Sequence, residues 1–167
     1  MNDPADKALD EKTKAHNHDT WRHINRVRFY LHICVDSLLR RALKHDMSKL
    51  VEPEASAFAY IEYDMEKLSY ADEQYDDSVE RLTKEGALAH HYAVNDHHPE
   101  HFARGVEDMT IMQISEMICD WIAGSERQND GNIRQSIEIA CERHKIHGQL
   151  KKVIENTVIE LLSKRDG

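Results

Sequence analysis

Residues 110–122 read Thr-Ile-Met-Gln-Ile-Ser-Glu-Met-Ile-Cys-Asp-Trp-Ile, and this stretch decides the fold class. Thr110 followed three residues later by Gln113 is a capping box, the reciprocal hydrogen-bond pair that opens a helix. Behind it Ile111, Ile114, Met117, Ile118, Trp121 and Ile122 recur at intervals that mark one helical face. Asp120 lies inside this most apolar of the predicted helices. A carboxylate in such company loses much of its solvation unless it is paired or ligating. The sequence leaves two partners open, a metal ion or a cation such as Arg127 two turns on, and helical phase also allows Asp120 to sit at the polar edge of the stripe.

The same periodicity extends in both directions. With six Gly, three Pro and no period-two segment, the chain reads as all-α, a single helical bundle. Residues 1–18 are polar and carry no core face, so they are expected to form an exposed arm, with one domain over 19–167. Asp19-Thr20 is a candidate N-cap for a first core helix with Ile24, Val27, Leu31 and Cys34 or Val35 as its stripe, continued by Leu38, Ala42 and Leu43. Pro53 suits the first turn of another helix, whose face would be Ala57, Tyr60, Ile61 and Met65. A polar stretch with Ser69 and Asp72 leads to a helix holding Leu82, Leu88 and His90-His91. Asn95-Asp96 ends that helix, and 97–104 reads as loop. Beyond the turn Asn129-Asp130-Gly131, two amphipathic segments carry Ile133, Ile137, Ala140 and Cys141, then Leu150, Val153, Ile154, Val158 and Leu161. Tyr60, Tyr63 and Tyr70 are expected to cover the core rather than to line a pocket or a homodimer face.

At 167 residues the chain has room for one domain with a sizeable core. A net charge of -9 argues against duplex nucleic acid as a partner, since that binding neutralises phosphates with Lys and Arg. It leaves room for a small anionic substrate, because bound metal ions supply positive charge locally. No apolar run is long enough to span a membrane, and Met1-Asn2-Asp3-Pro4 opens no signal peptide. Cys34, Cys119 and Cys141 are far apart in apolar stretches and read as free, buried thiols of a cytoplasmic protein.

Histidine carries the chemical signal. Of twelve histidines, five (His90, His91, His97, His98 and His101) fall between residues 90 and 101. Two doublets flanking a helix end allow at least one imidazole from each to face a common point. His101 and one member of each doublet are read as solvated, and His16, His18, His144 and His147 as surface or structural. Earlier in the chain His45-Asp46 offers an imidazole and a carboxylate about 100° apart on a helix, able to flank one ion at a helix end. That donor pair suits first-row metals such as Zn, Mn or Fe.

His45-Asp46-Met47-Ser48-Lys49 resembles the signature segment of the HD superfamily of metal-dependent phosphohydrolases. The order of a His, then His-Asp, then further His, then Asp is similar as well. More narrowly, the chain resembles a small family of bacteria and phages with no assigned substrate. Three features carry that likeness: His-Asp-x-Ser-Lys followed by Glu54 and Phe58, His-His-x3-Asn-x-His-His over 90–98, and the Cys-Asp-Trp helix. The resemblance covers roughly residues 20–160. It implies that His23, His45, Asp46 and Asp120 hold one divalent ion. One of His90 or His91 with one of His97 or His98 would hold a second ion or grip a phosphate. In the superfamily the first ligand lies on the helix before the doublet; His23 and His32 both qualify by order, and His23 fits the pattern with Ile24 and Val27 after it. An unbroken helix would set His23 about 33 Å from His45, so the chain must turn back between them, and Asp36-Ser37 is the capping pair available.

The activity implied is hydrolysis of a nucleotide or another small phosphate ester, in the cytoplasm (of the host, if the gene is a phage's). One or two ions of Mn, Fe, Co, Zn or Mg would serve it. Asp46 and Lys49 would carry the chemistry, Lys49 also contacting the phosphate, with Arg127 and Glu54 as lesser substrate contacts. Two other readings fit the ligand order: a di-iron oxygenase of the same fold, and a non-catalytic module that keeps the metal as a staple or sensor.

Overall fold

The structure, a computed structural model, describes residues 4–65, 86–127 and 132–165. Among these residues it is all-helical. Six α-helices follow in order: α1 Pro4–Lys44, α2 Glu54–Met65, α3 Ala87–Val94, α4 Ile111–Glu126, α5 Ile133–Arg143 and α6 Gly148–Arg165. Three short 3-10 turns stand between them, η1 Met47–Leu50, η2 Pro99–His101 and η3 Gly105–Asp108. Among the described residues no helix is long and apolar enough to cross a membrane. The chain divides into two compact units, Met1–Arg41 and Ala42–Gly167.

The first unit differs from expectation. Its described part is one helix, which passes through residues 18–20 and through Asp36-Ser37 without a break. No cap forms at Asp19-Thr20, and the expected turn-back is absent. Polar residues alone do not end a helix; a stop needs a residue such as Gly or Pro, and none occurs between Ala5 and Lys44. Salt bridges spaced i,i+4, such as Lys14 with Asp10 and Arg40 with Asp36, add support along its length. The predicted stripe on this helix is not a core face within the unit. Val27, Leu31, Val35 and Leu38 are exposed, and Ile24 and Cys34 are half-buried.

The second unit contains the apolar core, where three helices pack. Ile114, Met117 and Ile118 of α4 meet Ile137 and Cys141 of α5, Ile146 of the next turn, and Ile154 and Val158 of α6. Three of these helix ends have an identifiable cause. Thr110 and Gln113 form the capping box expected at the start of α4. The side chain of Asn132 accepts the N–H groups of Arg134 and Gln135 to open α5. At the other end of α5, Lys145 takes a left-handed conformation (φ 56°). The N–H of Ile146 then donates to the Cys141 carbonyl at 2.8 Å, and that of Lys145 to Glu142 at 3.1 Å. This is a Schellman closure, and it folds Ile146 back onto Cys141 in the core. Trp121 of α4 stacks with His144, ring planes 8° apart, which ties α4 to the end of α5.

Three readings of apolar faces are corrected, along with one thiol and one loop. Ile111, Val153 and Leu161 are exposed, because they fall at the outer edge of their stripes, and Leu162 packs on the core instead. Cys119 is exposed, while Cys141 is buried; all three thiols are free. Residues 97–104 hold η2 rather than plain loop. The side chains of Tyr60, Ile61, Tyr63 and Met65 lie outside the described residues. So do Ser69, Tyr70, Asp72, Leu82 and the turn Asn129-Asp130-Gly131.

Candidate metal centre

The centre lies wholly in the second unit and begins where α1 ends. Asp46 adopts a left-handed conformation, φ 53° and ψ 17°. That region costs a residue with a Cβ about 1–2 kcal/mol, and Asp is among the few that visit it routinely. The turn directs His45 and Asp46 inward instead of along the helix, and η1 follows it, closed by the Lys49 N–H on the Asp46 carbonyl at 2.9 Å. The His90-His91 pair stands on α3, which Asn95 ends by donating its backbone N–H to the His91 carbonyl. His97 and His98 follow in the next turn. That turn is fastened to α4 by the Gln113 amide, which donates to Asp96 at 2.6 Å. The capping residue of α4 therefore also sets the position of the second His pair.

Among the described residues three groups of potential ligands result, and two of them share Asp46. Asp46, His91, His97 and His98 form the first, His45, Asp46 and Asp120 the second, and His45, His97 and Glu116 a third behind them. In the first, Asp46 Oδ1 lies 3.5 Å from His91 Nε2 and 3.5 Å from His97 Nε2, and the Nε2 atoms of His91 and His98 are 2.9 Å apart. Four donors about 2.0–2.2 Å from one tetrahedral ion stand roughly 3.3–3.5 Å from one another, so the two Asp46 spacings suit an ion at the middle, while His91 and His98, at hydrogen-bond distance, would have to part slightly to share it. In the second, His45 Nε2 is 3.5 Å from Asp120 Oδ1 and 3.7 Å from Asp46 Oδ2. The two oxygens of Asp46 thus face different groups.

The fit also shows in what is unsatisfied. Asp46 Oδ1 and His97 Nε2 are buried without a hydrogen-bond partner. An orphaned buried acceptor is costly, and here two of them point at one spot. A cation satisfies both.

Behind the ligands lies a layer of carboxylates that face the other ring nitrogens. Glu54 is fully buried and is reached by His91 Nδ1 at 2.9 Å, His90 Nδ1 at 2.7 Å and the Ser48 hydroxyl at 2.8 Å. Asn95 donates to Ser48 at 2.8 Å and extends the chain. Glu116 is reached by His45 Nδ1 at 2.9 Å and His97 Nδ1 at 3.2 Å. An ionised carboxylate only accepts, so the Nδ1 atoms bonded to one carry protons, while His91 Nε2 meets His98 Nε2 and His45 Nε2 faces Asp120.

Charge and burial tune the site in opposite ways at its two ends. His45 has its pKa raised to about 9, chiefly by the hydrogen bond with Asp120. His98 is pushed down to about 3 by burial and by the neighbouring His97 and His91 rings, and burial lowers His97 as well. Asp46 is held below the usual carboxylate range by Lys49, whose ammonium lies 2.9 Å from Oδ2, against the opposing effect of burial. Asp120 is likewise lowered by His45 despite its burial. Neutral His97 and His98 beside ionised Asp46 and Asp120 are in the protonation states that ligation requires, whereas His45 must give up a proton to ligate.

The structure brings together His45, Asp46, His91, His97, His98 and Asp120. Both members of the second doublet are present, where one was expected, because the turn after Asn95 is tight enough to point both rings inward. His90 instead bonds Glu54 and belongs to none of the groups. His23 is corrected: it stands on α1 in the first unit, the turn-back expected at Asp36-Ser37 does not form, and His23 is in none of the ligand groups. Glu54 is buried with both oxygens engaged, so it supports His91 and has no free face for a substrate. Arg127 is the exposed C-cap of α4, about 10 Å along the helix from Asp120. The partner of Asp120 is His45. Lys49 caps Asp46 and lies over the Phe58 ring at 5.1 Å. His101 is exposed and donates to the Tyr92 carbonyl; His16, His18 and His147 are exposed, and His144 is half-buried on Trp121.

Sequence reasoning missed Glu116, Ser48 and Asn95. Glu116 stands one turn before Asp120 and so shares its face, a signal that was available. Asn95 reads as a helix terminator, and nothing local marks its side chain as a partner of Ser48.

No curated protein and no solved structure matches the chain. A family model described as "Family of unknown function (DUF5662)" matches residues 12–160, and the chain belongs to that family.

Proposed function

We propose that the protein is a metal-dependent phosphohydrolase acting on a nucleotide or another small phosphate ester, with two divalent ions that share Asp46. One observation carries the reading: the Asp46 carboxylate presents one oxygen to His91 and His97 and the other to His45, with Asp120 completing the second group. The resemblance of His45–Lys49 to the HD signature agrees with it. Ions held there would lower the pKa of a bound water toward neutrality and polarise a phosphoryl oxygen.

The chain's own residues would divide the remaining work. His91 and His97, nearly fully buried, form the closed floor, while His45 and Asp120 are each about a third exposed and form the open rim. A phosphate therefore enters on the His45–Asp120 side. Lys49 lies beside Asp46 and offers a preorganised ammonium to charge that develops on the phosphate. Asp120, acidic and at the rim, would hold the proton acceptor of the pair with His45.

The test is hydrolysis of a panel of nucleotides and sugar phosphates by the purified protein with Mn, Co or Mg, beside Asp46→Ala. The wild type should release phosphate from at least one class, and the variant should fall to background. Equal rates would remove the proposal. Two irons with a visible chromophore and O2 uptake would assign the site to oxygenase chemistry, and uptake of ions with no turnover would assign it to a binding module.

A further inference from the structure

We infer that Glu116 is a positioning residue shared by the two ion sites, holding one histidine of each at once. This deepens the metal reading above and rests on it. A single oxygen, Oε1, accepts from His45 Nδ1 at 2.9 Å and lies 3.2 Å from His97 Nδ1, within ion-pair range. His45 belongs to the group with Asp46 and Asp120, His97 to the group with Asp46, His91 and His98. The two rings lie 4.6 Å apart, tilted by 45°, so one carboxylate oxygen reaches both from behind. Because that oxygen accepts only, it would hold each ring, once ions are bound, in the tautomer whose Nε2 lone pair faces its own group.

Glu54 does the comparable work for one group alone. It takes His91 Nδ1, and its other imidazole partner, His90, belongs to none of the groups. The two carboxylates therefore differ in reach. Glu116 stands on α4, whose opposite side is anchored in the apolar core through Met117 and Ile118. It is 10% exposed, against 0% for Glu54. A rigid helix thus supplies Asp120 as a ligand and, one turn earlier, the acceptor that orients two further ligands.

Cobalt titration of the metal-free protein, followed by its visible absorption, tests this. Wild type should take up two equivalents. Glu116→Ala should weaken both steps by about 10–100-fold, the usual cost of losing an outer-shell partner, whereas Glu54→Ala should weaken one step only. Glu116→Gln keeps an acceptor oxygen in place and should recover most of the loss in both steps. An Glu116→Ala protein with wild-type steps, or with only one of them shifted, overturns the inference while leaving the metal reading intact. A wild type that takes up no cobalt overturns both. If Glu116→Ala fails to fold, imidazole nitrogen NMR of the zinc-loaded wild type decides: protons on Nδ1 of both His45 and His97 support the inference, and a proton on Nε2 of either contradicts it.

Discussion

The two sides of α4 meet opposite surroundings. On one, Ile114, Met117 and Ile118 enter a core of aliphatic side chains from α5 and α6. On the other, Glu116 and Asp120 face His45 and His97. The first region is complete as it stands, since apolar burial needs no further partner. The second buries Asp46 Oδ1 and His97 Nε2 with nothing to bond them. One region makes the fold stable, and the other spends some of that stability on a site that a cation would complete. The left-handed turn at Asp46 belongs to the same pattern, because strain of this kind gathers where function requires it.

This contrast can be broken by changing each side separately. The largest effect is expected from Asp46→Ala, which removes a donor from both groups: affinity for cobalt should fall by more than about 100-fold, beyond what losing an outer-shell partner costs, while circular dichroism shows a helical fold. Met117→Ala should do the reverse. Its side chain is 1% exposed, so truncation should cost about 2–5 kcal/mol in urea unfolding, with the ion stoichiometry of the folded fraction unchanged. If Met117→Ala abolished ion binding without unfolding the chain, the two regions would not be separable.

The pH dependence of stability should distinguish the metal-free and loaded forms. In the metal-free protein His45 is raised to about 9, so its contribution is full below its ordinary pKa of about 6.5 and fades as pH rises through 9. His98 is depressed to about 3, so the folded state binds fewer protons than the unfolded one between 3 and about 6.5, and stability falls as pH drops through that window. Thermal melts of the metal-free protein should therefore peak near neutral pH and decline on both sides. With ions bound, the alkaline decline should vanish, because ions replace protons on the ligands. A persistent decline above neutral pH in the loaded protein would detach His45 from ion binding.

Two smaller effects sharpen the picture. Asp46→Gly relieves the left-handed turn, so the metal-free variant should melt no lower than wild type, with a gain of up to about 1 kcal/mol, although it binds no ions. His101→Ala, at an exposed site outside all of the groups, should change stability by less than about 0.5 kcal/mol and leave the cobalt titration unaltered.

Much of the core was legible because it follows from local rules. The capping box at Thr110, the apolar spacing of α4 and the end of α3 at Asn95 are each written within a few residues. Asp120 was legible for a related reason, since a carboxylate in an apolar helix demands a partner. The reading failed where a long-range choice decides. Nothing between residues 19 and 44 interrupts a helix, and the polar pair Asp36-Ser37 looked like a break only because His23 was assumed to reach the site. The doublets showed that histidines gather but not which rings point inward. That depends on Gln113 fastening Asp96, and on Glu54 drawing His90 away, contacts separated by 17 and 36 residues.

The most direct measurement is anomalous diffraction from crystals grown with manganese. Two peaks are expected, about 3.5–4 Å apart as in other two-metal sites, each within about 2.0–2.5 Å of its ligand atoms, with the Asp46 carboxylate between them. Anomalous density absent from the space among Asp46, His91, His97 and His98, at saturating manganese, would contradict the account.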